Sequence, residues 1–144
     1  MFPFFSDYII VIVILLITVL LILIAVLYNL YYNYRRQDIK WKAIAANKLI
    51  AIQSNTRLNV ENKIITLDKL LEYTFQHYFG QYNSKLPDIL RKQVKSFSDI
   101  ELDGIWLSRK IVDQLNSPNQ YGGNQINLEN TINIYIKYIR KYIR

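Results

Sequence analysis

The residues of this sequence whose types support catalysis are few and scattered. His77 is the one His among 144 residues, and no Cys or acid pattern surrounds it. Glu101 and Asp103 lie close together, but acids near a predicted helix start stabilise the helix dipole, which is a structural role. The sequence has no Gly-rich phosphate loop, zinc-protease motif, serine-hydrolase motif or calcium loop. We therefore predict that the protein is not an enzyme, and we expect no cofactor and no metal.

The absence of Cys and the net positive charge exclude some kinds of site and favour some kinds of partner. The sequence holds no Cys, which excludes disulfides, thiolate metal sites and cysteine nucleophiles. Lys and Arg number 18 against 11 Asp and Glu, for a formal net charge of +7. Asp7 is the one charged residue before Arg35, so all the positive charge lies in residues 35–144. A basic segment favours an acidic protein, anionic lipid or nucleic acid as its partner.

The end of the chain concentrates residues suited to recognition. Residues 127–144 have helical periodicity, with apolar and basic residues on opposite faces. The predicted partner-binding face consists of Ile132, Tyr135, Ile136, Ile139 and Ile143. The predicted basic face consists of Lys137, Arg140, Lys141 and Arg144. Three partners remain open for this helix: other protein subunits, which we favour, then anionic lipids, and last RNA.

These residues follow an apolar element that opens the chain. Residues 9–27 contain eighteen apolar residues out of nineteen, the exception being Thr18, and they include no charge, Gly or Pro. With Tyr8 and Tyr28 the segment forms a helix of about 31 Å, which matches a hydrocarbon core of about 30 Å. Insertion scales give about −5 to −10 kcal/mol for such a segment. We predict a single transmembrane helix over residues 8–28, within an N-terminal region of residues 1–34.

Two other interpretations of this apolar segment are disfavoured. A buried strand has about 4–8 residues, far fewer than this run. A secretory signal begins with basic residues and has a shorter apolar stretch, whereas residues 1–8 carry only Asp7. The membrane helix therefore remains the prediction.

The flanks of the segment indicate its orientation. Aromatic residues suited to the membrane interface stand on both sides, namely Phe4, Phe5, Tyr8, Tyr28, Tyr31, Tyr32 and Trp41. A basic flank follows the segment on one side only, with Arg35, Arg36, Lys40 and Lys42. Because basic flanks stay on the cytoplasmic or matrix side, we predict the N-terminus outside and the C-terminal domain inside.

The rest of the sequence predicts a mainly α fold, in which a small, basic, mostly helical soluble domain follows the one N-terminal transmembrane helix. Residues 35–52 form a basic juxtamembrane helix, either continuous with the membrane helix or broken near residues 33–38. Residues 53–115 form the small helical domain, and residues 116–126, which include Pro118 and Gly122-Gly123, form a linker.

Three helices are predicted inside the small domain. The first covers residues 67–79, with Thr66 as its cap, and residues 57–66 before it allow a short hairpin. The second covers residues 86–97, and the third follows a capping box formed by Ser98 and Glu101. The domain also carries large apolar residues for its size, among them Trp41, Phe75, Phe79 and Trp106. We expect other subunits to cover much of this surface, so that residues 40–144 alone aggregate or stay partly molten.

Composition points to the kind of gene that encodes the chain. Ile, Asn, Lys and Tyr are frequent, with 12 Tyr, while Gly and Pro number only 4 and 3. Residues with AT-rich codons are thus overused, which indicates an AT-rich genome such as that of a protist mitochondrion, a wall-less bacterium or a virus.

The plan of the chain resembles a known family of small membrane subunits. Met1-Phe2-Pro3, the apolar residues 9–27 and the pair Arg35-Arg36 are together similar to subunit 8 of the mitochondrial ATP synthase in its longer protist and plant forms. The likeness is confined to residues 1–36, and the family's Met-Pro-Gln start is not matched. Other small accessory subunits of the respiratory chain share this plan.

The resemblance implies a non-catalytic, single-pass accessory subunit of a mitochondrial inner-membrane complex, either a respiratory complex or the ATP synthase. Its domain would lie in the matrix, and its partners would be other subunits of the complex and the lipid bilayer. Two alternatives remain open. One is a viral or bacterial single-pass protein that acts alone or as a homo-oligomer, and the other is a membrane tether for a ribosome or RNA assembly.

Overall fold

The computed structural model describes residues 4–117 and 128–144, with side chains described from Tyr8 onward. The described residues form five α-helices and no strand, which confirms the predicted mainly α class. The helices are α1 (Phe4–Ser54), α2 (Val60–Tyr78), α3 (Leu86–Lys92), α4 (Asp99–Asn116) and α5 (Leu128–Ile143). A 3₁₀ turn at Val94–Ser96 follows α3. Most of the predicted linker, residues 118–126, lies outside the described residues.

Helix α1 is the longest element and runs for 51 residues. Of the two alternatives for residues 35–52, the continuous helix is therefore the correct one, and residues 33–38 contain no break. The chain divides into two compact units, Met1–Ile39 and Lys40–Arg144, and the boundary between them falls inside α1.

The first unit is the apolar part of α1. The apolar side chains from Ile9 to Leu27 are all exposed, and Thr18 donates a hydrogen bond from its hydroxyl to the Ile14 carbonyl oxygen at 2.6 Å. This bond satisfies the one polar side chain of the run. Among the described residues α1 alone is long and apolar enough to cross a membrane. An exposed apolar surface of this extent suits hydrocarbon better than water.

Helices α2 and α5 run parallel at the centre of the second unit. The Tyr135 hydroxyl donates a hydrogen bond to Asp68 at 2.9 Å, and the rings of Phe75 and Tyr142 meet edge to face with centroids 4.9 Å apart. The second contact lies seven residues after the first in both helices, so the two helices run in the same direction. Phe75 and Tyr135 are fully buried at this contact.

Helix α4 packs antiparallel to α5. Glu101, at the start of α4, pairs with Lys141 near the end of α5, and Gly104 lies against Tyr138. A Cβ at residue 104 would stand 3.2 Å from the Tyr138 hydroxyl oxygen, so glycine permits the close approach of the two helices. The glycine that lowers helix propensity here is therefore a packing residue.

The last part of α1 completes the second unit by packing antiparallel to α2. The Trp41 ring stacks on His77 with centroids 5.7 Å apart, and the Lys48 ammonium lies 4.8 Å from the centre of the Tyr73 ring. Ala45, Leu49 and Ile52 of the same segment are buried in the hydrophobic core. Residues 41–52 thus provide one wall of the domain.

Local sequence explains where the helices of the second unit begin and end. Asn59 caps α2, because its side-chain oxygen accepts a hydrogen bond from the Asn62 amide at 2.8 Å. Gly80 follows the end of α2 with a φ of +66°, a conformation that L side chains rarely adopt. The predicted capping box of α4 is confirmed, since Ser98 and Glu101 each accept a hydrogen bond from the other's backbone amide.

Two of the predicted boundaries are wrong. The suggested hairpin at residues 57–66 is mostly helix, because Asn59 starts α2 well before Thr66 and the Thr66 hydroxyl bonds within the helix to the Asn62 carbonyl oxygen at 2.6 Å. The helix predicted over residues 86–97 ends at Lys92, where the chain tightens into the 3₁₀ turn.

The large apolar residues of the second unit serve its own core. Phe75 is fully buried and Trp41 is 7% exposed, while Phe79 and Trp106 are partly buried and pack against the same cluster. Trp41 and Phe75 are therefore covered by the chain itself, whereas coverage of the exposed parts of Phe79 and Trp106 by other subunits remains a prediction.

Candidate functional site

The predicted membrane-interface residues of the first unit are exposed tyrosines of α1. Tyr8, Tyr28, Tyr31 and Tyr32 keep more than half of their surface accessible, and the Tyr28 and Tyr32 rings stack with centroids 6.5 Å apart. One helical turn separates the stacked pair, so both rings lie on the same side of α1. The side chains of Phe4 and Phe5 lie outside the described residues.

Trp41 does not belong to this exposed aromatic set. Its side chain is 7% exposed and its ring stacks on His77, which in turn contacts Tyr73 with centroids 4.4 Å apart. Burial lowers the pKa of His77, which favours the neutral imidazole in this aromatic cluster. The prediction that Trp41 lies at the membrane interface is therefore wrong, because its side chain points into the core of the second unit. His77 packs beside it.

The basic flank that follows the apolar segment is mostly exposed. Arg35, Arg36 and Lys40 are exposed, whereas Lys42 is half-buried. The Lys42 ammonium donates a hydrogen bond to the Arg144 carbonyl oxygen at 3.3 Å, so it helps to hold the end of α5. Three of the four predicted topology residues thus present their charge to solvent.

The predicted partner-binding face of α5 packs largely against the core of the chain itself. Tyr135 and Ile139 are fully buried in the core of the chain itself. The other three residues of that face, Ile132, Ile136 and Ile143, are partly buried and pack against the same core. The amphipathic pattern thus reflects packing against the chain's own core, and binding of a partner by the part of this face that stays exposed remains a prediction.

The predicted basic face of α5 remains on the surface. Lys137, Arg140, Lys141 and Arg144 are all exposed. Lys141 forms an ion pair with Glu101, and Arg140 donates a hydrogen bond to the side-chain oxygen of Gln53 at 3.4 Å. Two of the four cations therefore tie α5 to its neighbours in addition to facing water.

A buried polar network that the sequence pattern did not predict joins three helices. Asp68 of α2 is 4% exposed, accepts the Tyr135 hydrogen bond, and forms an ion pair with Arg109 of α4. Arg109 also reaches Asp113, with 3.4 Å between the nitrogen and the carboxylate oxygen. Burial raises the pKa of Asp68, against the opposing influence of the Arg109 charge.

One feature of the sequence could have indicated this network, namely an acidic residue on the apolar face of a helix. Asp68 stands beside Leu67 and one turn before Leu71, both of which are fully buried, so its helical position points into the core. A buried carboxylate requires a cation or donors. Only the fold shows that Arg109 and Tyr135 supply them. The network joins α2, α4 and α5 inside the second unit.

The surface of the second unit also carries exposed apolar side chains. Ile100 and Leu107 of α4 are 82% and 59% exposed, and Ile44 and Ile50 of α1 are 45% and 62% exposed. Within the described residues, no group of three or more His, Cys, Asp or Glu is placed to hold a metal ion. The described residues thus provide a helix that can span a membrane, exposed apolar side chains on a helical domain and an exposed basic face on α5.

No known protein family matches the chain, and no curated protein or solved structure matches it either.

Proposed function

We propose that this protein is a membrane-anchored, non-catalytic accessory subunit of a larger membrane complex. Its anchor is the apolar part of α1, and its binding module is the helical unit of residues 40–144. The observation that carries the proposal is that an apolar helix continues directly into a domain with its own core, while a part of the domain surface stays apolar.

The surface that fits another subunit lies on α4. Ile100 and Leu107 are two turns apart and so share one side of the helix. Their exposed fractions of 82% and 59% are large for branched apolar side chains that have a folded core available beside them. Exposed Asp103 and Lys110 flank them. An apolar centre with charged residues at its edge is the usual composition of a protein–protein contact.

The proposal extends to the kind of complex and to the orientation. We place the protein in the mitochondrial inner membrane, in a respiratory complex or the ATP synthase, because an AT-rich composition accompanies the single-pass plan shared with subunit 8. The exposed cations Arg35, Arg36 and Lys40 follow the apolar segment, and the positive-inside rule puts them and the domain in the matrix.

A native gel with mass spectrometry tests the proposal. The full chain is expressed in the cells that naturally make it, and their membranes are extracted with a mild detergent. On the native gel it should migrate in a complex far larger than 17.2 kDa. Mass spectrometry of that band should identify it together with subunits of one energy-transducing complex. The double variant Ile100→Glu with Leu107→Glu should leave that complex, because a charged carboxylate is costly to bury in an apolar contact.

The control variant is Val60→Glu, which places one glutamate, half of the added charge, on a partly exposed apolar residue at the start of α2. This variant should stay in the complex. A wild-type chain that migrates alone, or an α4 double variant that stays incorporated as the control does, would contradict the proposal.

A further inference from the structure

Four exposed polar side chains form a compact patch on α1 directly after its apolar run. They are Asn29, Tyr32, Asn33 and Arg36, which we call the donor quartet, and all four belong to the first unit. Their spacing of three, four and seven residues places them within about 100° around the helix axis and about 11 Å along it. Each side chain carries hydrogen-bond donors, and Arg36 adds a positive charge. The patch therefore suits an anion with several acceptor oxygens.

Contacts within the helix leave most of these donors available. The Asn33 side-chain nitrogen donates a hydrogen bond to the Asn29 side-chain oxygen at 3.1 Å, and the Tyr32 ring stacks on Tyr28. The first bond uses the acceptor of the Asn29 amide and not its two N–H groups. Within residues 8–117 and 128–144, no acceptor takes these N–H groups or those of the Arg36 guanidinium.

The charges near the donor quartet favour an anion. Asp38 is the one acid in residues 28–54, and it lies about 160° away from Arg36 around the helix axis. Lys40, the next charged residue after Asp38, is another base. An anion held by Arg36 thus meets no carboxylate on the same side of α1.

The position of the donor quartet along α1 indicates the source of the anion. When α1 crosses a bilayer, as the proposed function requires, the hydrocarbon ends near Tyr28 and a headgroup layer about 5–7 Å thick follows. Asn29 and Tyr32 then lie about 2–6 Å beyond Tyr28, inside that layer, and Arg36 lies about 12 Å beyond it. Side chains of a helix tilt toward its N-terminus, so the long Arg36 side chain reaches back to the lipid phosphates.

We propose that the donor quartet binds the phosphate of an anionic phospholipid in the bilayer around α1. The Arg36 guanidinium forms paired hydrogen bonds with two phosphate oxygens. The Tyr32 hydroxyl and the Asn29 amide donate to the remaining oxygens of the headgroup. The acyl chains lie along Ile22 and Val26, which are exposed on the same side of the helix one to two turns earlier.

Spin-labelled lipids test the proposal on the full chain. The protein is reconstituted in phosphatidylcholine vesicles, and electron paramagnetic resonance measures how strongly it immobilises spin-labelled phosphatidylglycerol relative to spin-labelled phosphatidylcholine. The wild type should favour phosphatidylglycerol by about fivefold, and Arg36→Gln should lose most of this preference. The matched control is Arg35→Gln, which removes the same charge from an exposed residue about 100° away around the axis. It should keep the preference.

A second pair of variants tests the site without a change of charge. Tyr32→Phe deletes only the hydroxyl and should lower the preference by about twofold. Tyr31→Phe is the control, because this exposed tyrosine lies outside the donor quartet at nearly the same depth. It should leave the preference unchanged.

Inorganic phosphate, added at constant ionic strength, distinguishes a lipid phosphate from a free one. It should leave the preference unchanged, because lipid headgroups are concentrated at the helix and free phosphate is not. Displacement of phosphatidylglycerol by phosphate, equal losses in Arg36→Gln and Arg35→Gln, or a wild type without preference would overturn the proposal.

Resistance to alkaline extraction separates this proposal from the proposed function on which it rests. A chain that alkali removes from the vesicles would refute the membrane anchor and the lipid site together. An inserted chain without lipid preference would refute the lipid site alone.

Discussion

At the scale of single residues, the fold depends on a few polar contacts set among apolar ones. Asp68 is buried and yet ionisable, and it is tolerated because Arg109 and Tyr135 reach it from two other helices. A carboxylate in this position contributes specificity, since a shifted α4 or α5 would leave it unpaired.

Removing one donor of this network should weaken the domain measurably. Tyr135→Phe keeps the buried ring and deletes the hydroxyl, which leaves an Asp68 oxygen without that donor. We expect a loss of about 1–3 kcal/mol in the free energy of unfolding, measured by urea titration of the full chain in micelles. Tyr82→Phe, at an exposed tyrosine, is the control and should cost less than about 0.5 kcal/mol. Equal losses of unfolding free energy in Tyr135→Phe and Tyr82→Phe would show that the hydrogen bond to Asp68 does not stabilise the domain.

Glu101 gives the domain a predictable pH dependence. Its hydrogen bond with Lys141 lowers the pKa of Glu101 below its ordinary value of 4.5, so the folded state binds fewer protons than the unfolded state in that window. The resulting stability is present above pH 4.5 and is lost as the pH falls through the lowered pKa. Glu101→Gln should therefore flatten this part of the curve of unfolding free energy against pH.

The control for Glu101 is Glu61→Gln, at an exposed acid that is also in the first turn of its helix. It should leave the acid limb of the curve nearly unchanged. Asp68 acts in the opposite sense, since its raised pKa favours the protonated form in the fold, but it is the same in both variants. An identical acid limb in wild type and Glu101→Gln would contradict the role given to the Lys141 pair.

At the scale of elements, periodicity located the helices better than their boundaries and their partners. The heptad-like pattern of residues 128–143 predicted α5 correctly, because a helix that buries one face repeats its apolar residues every three or four positions. It did not reveal that α2 covers this face, since an amphipathic pattern states that a face is buried and not what buries it. The early start of α2 was missed because Asn59 was not recognised as its cap.

The core role of α5 separates two substitutions on neighbouring residues. Ile139→Ala removes a fully buried side chain and should cost about 2–5 kcal/mol of unfolding free energy. Lys137→Gln changes an exposed cation whose ammonium lies 5.7 Å from the centre of the Tyr138 ring, and it should cost no more than about 1 kcal/mol. Thermal or urea unfolding of the full chain in micelles gives both values. A smaller loss for the isoleucine than for the lysine would show that α5 is not part of the core.

At the scale of the whole molecule, the sequence predicted the apolar helix and the mainly α class. It did not predict which large apolar side chains are buried by the chain's own helices. The apolar helix could be predicted from residues 9–27 alone, because the length and hydropathy of one continuous segment are enough to identify it. The coverage of Trp41 and Phe75 depends on contacts between distant segments, and composition does not show these. Such residues looked like surface for other subunits, whereas the chain folds back to bury them.

This correction changes the expected behaviour of the isolated domain. Because the second unit has its own core, residues 40–144 expressed without the first unit should be soluble and unfold cooperatively, with one transition seen by both near- and far-UV circular dichroism. The matched control is the same fragment with Phe75→Ala, which should lose several kcal/mol and its near-UV signal. A molten wild-type fragment would show that the domain depends on the membrane or on partners to fold.

The proposed function requires that α1 crosses a membrane between its first residues and the helical domain. Since the chain has no Cys, single cysteines at Ser6, Ile17 and Lys110 can be probed with an impermeant maleimide in sealed membrane vesicles whose outer face is exposed. We expect that Ser6→Cys reacts in intact vesicles, that Lys110→Cys reacts only after permeabilisation, and that Ile17→Cys reacts in neither state. Equal reaction of all three cysteines in intact vesicles would contradict it.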